Sequence, residues 1–404
     1  MGALGTQNFT TSTDSYNTAV GHNAGNSVTT GAQNTLIGTY AADAITVGYE
    51  NTALGTNALG ADTLGSRSTA LGRGALLAQN FTTATESHNV AVGVYTGGGL
   101  TVGIHNTLIG TLAGDALTDS DYNVAVGRGS LSADTLGSRS TALGYSALAD
   151  QNFTTATDSY NTAVGYQAGT TVTTAVNNTL IGASAGDALT TGSQNTVVGT
   201  FALSGDDLGS YNTALGYNTL AALNYTTATE GWNTAVGGRA GQAMTTATHN
   251  TIIGGLAGDA LDVGNSNTAL GYLALSTDTK GDRAVSIGLG ALTTQNFTTS
   301  TDNYNVGVGY YAGTAVTTGI ANTLMGGLSG DALTDADYNV AFGYNALSTD
   351  TLGSRSVAIG ALTLDAQNFT TATNSYNTAV GYNAGSAVTT GIENTLIGGD
   401  AGDA

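Results

Sequence analysis

Cysteine and proline are both absent from this 404-residue chain, and basic residues are scarce: one lysine, Lys280, and seven arginines stand against 28 carboxylates. Without cysteine there is no disulfide framework, no thiol nucleophile and no thiolate metal ligand; the lack says nothing of compartment. Without proline, the 60 glycines cannot belong to a collagen helix, which needs both at fixed period. A net charge of −20 argues against nucleic acid as a partner, because phosphate recognition draws its affinity from Lys and Arg. An anionic membrane surface repels such a chain for the same reason. No apolar run approaches the roughly 18 residues of a membrane helix, so membrane insertion by this segment is not expected. Met1 is followed by GALGTQNFTT, which has neither the basic nor the apolar region of a signal peptide. An export signal or anchor would lie outside this sequence. Charged residues are only 9% of the chain and apolar residues 41%, the reverse of a disordered composition.

What is present is a repeat. A pentapeptide of the form Asn-Thr-apolar-apolar-Gly ends at Gly21, Gly38, Gly55, Gly72, Gly93 and onward to Gly398, 22 times in all. The intervals run 17, 17, 17, 21 without a slip, a superperiod of 72 residues. Nothing in this regularity marks a domain boundary, and a single continuous domain over 1–404 is expected. The pentapeptides NTAVG, NTLIG and NVAVG suit strands, and the Gly, Asn and Thr between them suit corners. Helical solenoids repeat at longer periods and need helical faces that are missing here. The fold class expected is therefore all-β, a parallel β-solenoid with one coil per repeat. Stacked at roughly 4.8 Å, 22 coils would extend on the order of 105 Å.

Stacking identical coils sets side chains upon their own kind. Asn opens the pentapeptide in 18 coils, as at Asn17, Asn34, Asn51, Asn89, Asn106, Asn123, Asn161 and Asn178, and such amides can bond along the axis as a ladder. The exceptions, Ser68, Ser140, Ala284 and Ser356, all fall in the fourth coil of a superperiod. Three residues after each Gly stands Ala in 17 coils and Ser or Thr in five, which marks a tight internal corner. Within Asn17–Gly21, Thr18 and Val20 face one way and Ala19 the other. Both sets are largely apolar along the chain, and a strand apolar on both faces is buried on both. One face fills the core, so the other is expected to meet a further copy of the chain.

The motifs Ser356-Val357-Ala358-Ile359-Gly360 and Ala284-Val285-Ser286-Ile287-Gly288, with NTAVG as the common variant, resemble the head repeats of trimeric autotransporter adhesins, the YadA-like heads. Related repeats occur in phage tail fibres. The resemblance covers all 22 coils and implies a left-handed β-roll, a homotrimer and a bacterial cell-surface adhesive role. The coils here are longer than the family's, and no coiled-coil stalk, anchor segment or neck motif is present.

Other features invite a functional reading. The longer interval carries Asn-Phe/Tyr-Thr-Thr, so Asn8, Asn80, Asn152, Asn224, Asn296 and Asn368 match the glycosylation pattern and should lie on a loop along one face. The bland alternative is a copied corner whose aromatic covers the widened coil. Asp43, Asp115, Asp187, Asp259, Asp331 and Asp403 read as solvated turn residues, since calcium needs six to eight oxygens that one chain does not bring together. Asp62, Asp134, Asp278 and Asp350 precede Arg67, Arg139, Arg283 and Arg355 by five residues and read as local ion pairs. His22, His88, His105 and His249 lack metal-ligand spacing. No catalytic, cofactor-binding or metal residue is expected, and the chain does not read as an enzyme. The Thr rank at Thr18, Thr35, Thr52 and Thr69 resembles ice-binding arrays, but apolar position 20 on the same face points to burial instead.

The chain begins and ends inside coils, which suggests either a piece of a longer rod or head-to-tail joining. Three functions remain open: a self-associating extracellular filament, an adhesin head binding host or matrix surfaces, and a phage tail-fibre shaft.

Overall fold

A computed structural model describes residues 2–404; the first coil's expected start at Met1 lies outside the described residues. The chain is an all-β parallel solenoid of about 22 turns spaced by about 17 residues, with no helix among the described residues. It forms two compact units that divide between Thr200 and Phe201. Each unit contains eleven three-residue strands, running from Thr18–Val20 to Thr196–Val198 in the first and from Thr213–Leu215 to Thr395–Ile397 in the second. Since no helix is long and apolar enough to cross a membrane, none spans one among the described residues.

Strands stack in parallel with constant register: Thr18 pairs Thr35, Ala19 pairs Leu36 and Val20 pairs Ile37. The pairing runs well past the strands. Tyr40 N–H donates to His22 O, Gly25 N–H to Ala41 O and Thr29 N–H to Thr46 O, at 2.8–2.9 Å. Almost the whole coil backbone is therefore satisfied by the coils on either side, as buried backbone must be.

The core holds the face that carries Asn and position 19. Leu36, Leu108 and Leu180 are fully buried, as are Asn34, Asn106 and Asn178. Large and small residues interlock. A Cβ on Gly97 would meet Leu108 at 2.8 Å and Leu76 at 3.0 Å, and one on Gly114 would meet both Leu117 and Leu108. Coils with Leu at position 19 have a small corner, as Leu108 with Gly114 and Leu36 with Ala42, whereas Ala125 and Ala142 share their coils with Leu131 and Leu148; the first coil of a superperiod, as with Ala91 and Gly97, is small at both.

Four residues in every coil take positive φ. The pentapeptide glycines lie at φ 128–146°. The residue before each Asn and the second and fourth residues after each Gly lie in the left-handed region, as with His105, Leu112 and Gly114. These bends close a 17-residue ring around so narrow a core. At Gly110, φ is 131° and an added Cβ would sit 2.5 Å from Gly127 O. Conformation and contact both forbid a side chain there.

The asparagines form a ladder, but mainly to backbone. Asn17 Oδ1 accepts the Asn34 N–H at 2.9 Å, and Asn34 Oδ1 accepts that of Asn51 at 2.9 Å. Most Nδ2 groups donate to a corner carbonyl, as Asn34 does to Gly48 O at 3.0 Å, and several also reach the amide oxygen of the coil below, as Asn34 does to Asn17 Oδ1 at 3.2 Å. The run ends where Asn51 Oδ1 takes the Ser68 N–H. Beyond it the 21-residue coil inserts Gln79, whose Nε2 donates to Asp62 Oδ2 at 2.7 Å and Ser68 Oγ at 2.8 Å. Gln79 Oε1 accepts from Asn89 Nδ2 at 3.0 Å, and the ladder resumes. Ser replaces Asn at position 68 because the glutamine needs its space and its hydroxyl.

One wide coil departs from this plan. Leu223 stands where the others have Gln, and Tyr225 where they have Phe. The Tyr225 hydroxyl accepts from Asn233 Nδ2 at 2.9 Å and donates to Ala247 O at 2.7 Å, doing the amide's work from the aromatic position. Asp206 Oδ2 is left buried with no hydrogen-bond partner among the described residues. Burial raises the Asp206 carboxyl to about 6, against amide donors from Gly209 and Tyr225 that pull it down.

Two predictions follow from these contacts. Gly110→Ala should cost about 2–4 kcal/mol in chemical denaturation, whereas Gly238→Ala, whose Cβ meets nothing within 4 Å, should change stability by less than about 0.5 kcal/mol. For Asp206 the folded pKa lies above the unfolded value, so its protonation favours the folded state and stability is lost as pH rises from about 4 through about 6. Asp206→Asn removes that loss. Its stability relative to the parent should climb across this window by on the order of 3 kcal/mol and then level off, which denaturation at stepped pH will read.

Candidate functional site: the outward sheet face

The face opposite the core carries Thr or Val at position 18 and Val, Ile, Leu, Met or Phe at position 20. In all 22 coils neither column holds a charged residue. Many position-20 side chains are exposed: Ile109 and Ile181 at 38%, Leu270 at 43% and Phe342 at 53%. Within the single chain, then, position 20 lies on the face that the core does not fill. It faces outward beside the threonines, and position 19 fills the core. The sequence could not decide between the two because both are apolar.

Two ranks of larger side chains flank these columns. One is the left-handed residue before each Asn. In the first unit His88, His105 and Tyr122 stack with ring centroids 5.1 and 5.0 Å apart and planes within 10°. Arg139 continues the stack, its guanidinium 5.1 Å from the Tyr122 ring and 5.9 Å from Tyr160. In the second unit Tyr211 and Trp232 stack at 4.2 Å, and Arg355 lies between Tyr338 and Tyr376. The other rank follows the Gly and includes Tyr145, Tyr166, Tyr272 and Tyr344, all exposed. Stacked rings cover one another's faces along the coil axis. They offer edges, hydroxyls and guanidinium groups to a partner, not the open ring faces on which a sugar stacks.

The Asp–Arg pairs expected at five-residue spacing do not form. Asp62 and Asp134 are buried and bound to Gln79 and Gln151 and to the amides of Gly65 and Gly137. Asp278 and Asp350 bond Gln295 and Gln367 in the same way. Burial raises the Asp62, Asp134 and Asp278 carboxyls, with the glutamine and amide donors opposing it. The arginines reach the next coil instead: Arg67 pairs with Glu86 at 2.6 Å, and Arg139 with Asp158 at 2.9 Å; Arg67 also reaches back to Glu50 of the preceding coil at 3.0 Å. Arg283 pairs with Asp302, and Arg355 Nε donates to Asn374 Oδ1 at 3.1 Å. The relevant separation is 19 residues, one coil up, and five is an accident of the corner.

The other singled-out residues fall as follows. Asn8, Asn80, Asn152, Asn224, Asn296 and Asn368 are exposed. Four of them accept from a Thr of the preceding coil through Oδ1, as Asn80 does from Thr63 at 2.9 Å. The following aromatic tucks inward, so that Phe81, Phe153, Tyr225, Phe297 and Phe369 are at most 6% exposed. Only a short stretch such as Thr82–Ala84 stands fully out. Asp115, Asp259 and Asp331 are half-buried, not freely solvated, each with Oδ1 lacking a partner among the described residues. Burial raises these carboxyls, as it does those of Asp43 and Asp187. Asp403 is exposed. His22 meets Tyr40 edge-on at 5.2 Å, and His249 is exposed. Among the described residues no group of three or more His, Asp or Glu side chains is placed to hold a metal ion.

Against known proteins, the chain matches no family model and no curated protein.

Arg139→Ala should leave the denaturation midpoint almost unchanged, because its ion pair is exposed on both sides. Asp134→Ala strips a buried network of its acceptor and should cost about 2–4 kcal/mol. Denaturation of both variants beside the parent measures the contrast; equal effects would restore the local-pair reading.

Proposed function

We propose that the chain is a structural rod of an extracellular surface, and that copies of it associate side by side along the outward sheet face. The observation that supports this is the uncharged double column at positions 18 and 20, maintained over all 22 coils in a chain of net charge −20. A solvated strand face normally alternates in polar and charged residues. One unit presents eleven strands at about 4.8 Å, each about 13 Å from the pentapeptide's Asn to its Gly, close to 700 Å² without the flanking ranks. A stable interface takes about 800 Å² from each partner, so a single unit already approaches that size and the flanking tyrosines complete it. The chemistry that fits such a face is the same face on another copy: aliphatic against aliphatic, with tyrosine and arginine at the rim. Three copies is the number that the YadA-like resemblance implies. Adhesion through the exposed tyrosine edges is compatible with this role.

Sedimentation over a range of concentrations tests the proposal. The parent should sediment as an oligomer, and Ile109→Lys/Ile181→Lys should shift it to monomer with the β-sheet circular dichroism unchanged. A parent that remains monomeric at every concentration would overturn lateral association.

A further inference from the structure

We propose that Tyr145 and Tyr166 form an oxidative cross-linking site, at which a peroxide-driven one-electron oxidant joins the two rings and staples one wide coil shut. The two residues occupy the same rank on coils separated by a 21-residue interval, and Gln167 N–H donates to Tyr145 O at 2.9 Å. Their rings are parallel to within 10° with centroids 5.4 Å apart. Both are open to solvent, at 41% and 55%. Arg128 Nη1 donates to the Tyr145 hydroxyl at 3.3 Å and holds that ring in the rank.

No other tyrosine pair in the described residues stacks this way. Tyr310 and Tyr311 are consecutive and meet edge to face at 79°. In the same rank Tyr272, Tyr344 and Tyr382 are separated by coils that carry Gly, Leu or Ala. The chain also has no cysteine, so a cross-link between coils must come from another side chain. A link from 145 to 166 would enclose the widened coil, whose Thr154, Thr155 and Ala156 are fully exposed, and would restrict the unfolded chain as a disulfide does.

The chemistry balances. Each phenol gives up one electron and its hydroxyl proton, and the two electrons and two protons reduce hydrogen peroxide to two waters. The resulting phenoxyl radicals couple through their ortho carbons to form one C–C bond. The two displaced ring protons move to the phenolic oxygens, which restores both aromatic rings.

The test uses the dilute full chain with hydrogen peroxide and a haem peroxidase, followed by cleavage at aspartates. Asp150 and Asp158 lie between the two tyrosines, so a link joins two separate peptides with the loss of two hydrogens. The expected result is a 145–166 linked pair as the main product of the dilute chain, with dityrosine fluorescence, both lost in Tyr166→Phe. Tyr145 and Tyr166 remaining unlinked while free tyrosine couples in a parallel reaction would overturn the proposal. So would a dilute-chain signal unchanged in Tyr166→Phe. Links between copies rise with concentration and report on lateral association alone, so that reading and this one can fail separately.

Discussion

Everything in this molecule depends on backbone hydrogen bonds that run from coil to coil. Each coil is satisfied mainly by its neighbours, with a few bonds inside its own corners such as Val28 N–H to Gly25 O, so every residue must tolerate a near-copy of its own position one coil above and below. That condition selects glycine at the pentapeptide's end, where Gly110 and Gly127 approach too closely for any Cβ. It also selects asparagine at the start, whose side chain has an acceptor for the amide above and a donor for the corner beside it. Charge is disfavoured for the same reason, since a charged rank would repel itself at every step.

The superperiod is the second level of the same constraint. The corner position is not the same in every coil but runs two small residues and then two leucines over four coils, as at Gly97, Gly114, Leu131 and Leu148. Leu108 fits between Gly97 and Gly114, and Leu131 and Leu148 face Ala125 and Ala142. The wide coil interrupts the ladder and repairs it with a glutamine that faces both ways. The coil containing Leu223 and Tyr225 shows a second repair, in which a phenol takes over the contact to Asn233 and leaves Asp206 exposed to the cost of its burial.

Much of this was legible in the sequence because stacking turns physical demand into repetition. The coil count, the asparagine rank, the small corner and the all-β class could be read from spacing alone. The left-handed ranks could not, because their residue types vary freely: His105, Tyr122 and Arg139 share a backbone conformation and nothing else. Their constant spacing was the available signal. The ion pairs were not legible, because in a solenoid sequence proximity is not spatial proximity: Arg139 finds Asp158 in the next coil. The direction of the strand faces was hidden by the fact that positions 19 and 20 are both apolar, and only the sense of the corner turns decides which of them is inside.

The axial direction of the coil-to-coil bonds also governs how the molecule bears load. Tension applied along the stack acts on one coil's bonds at a time, so the chain peels and does not shear. Each yielded coil frees about 17 residues, roughly 60 Å of slack at full extension. Four of the wide coils carry a side-chain knot of Asp, Gln and Asn beneath the backbone ladder, and the one with Leu223 lacks it. Those knots make the solenoid a series of graded detents, each absorbing energy before the next run of ordinary coils gives way.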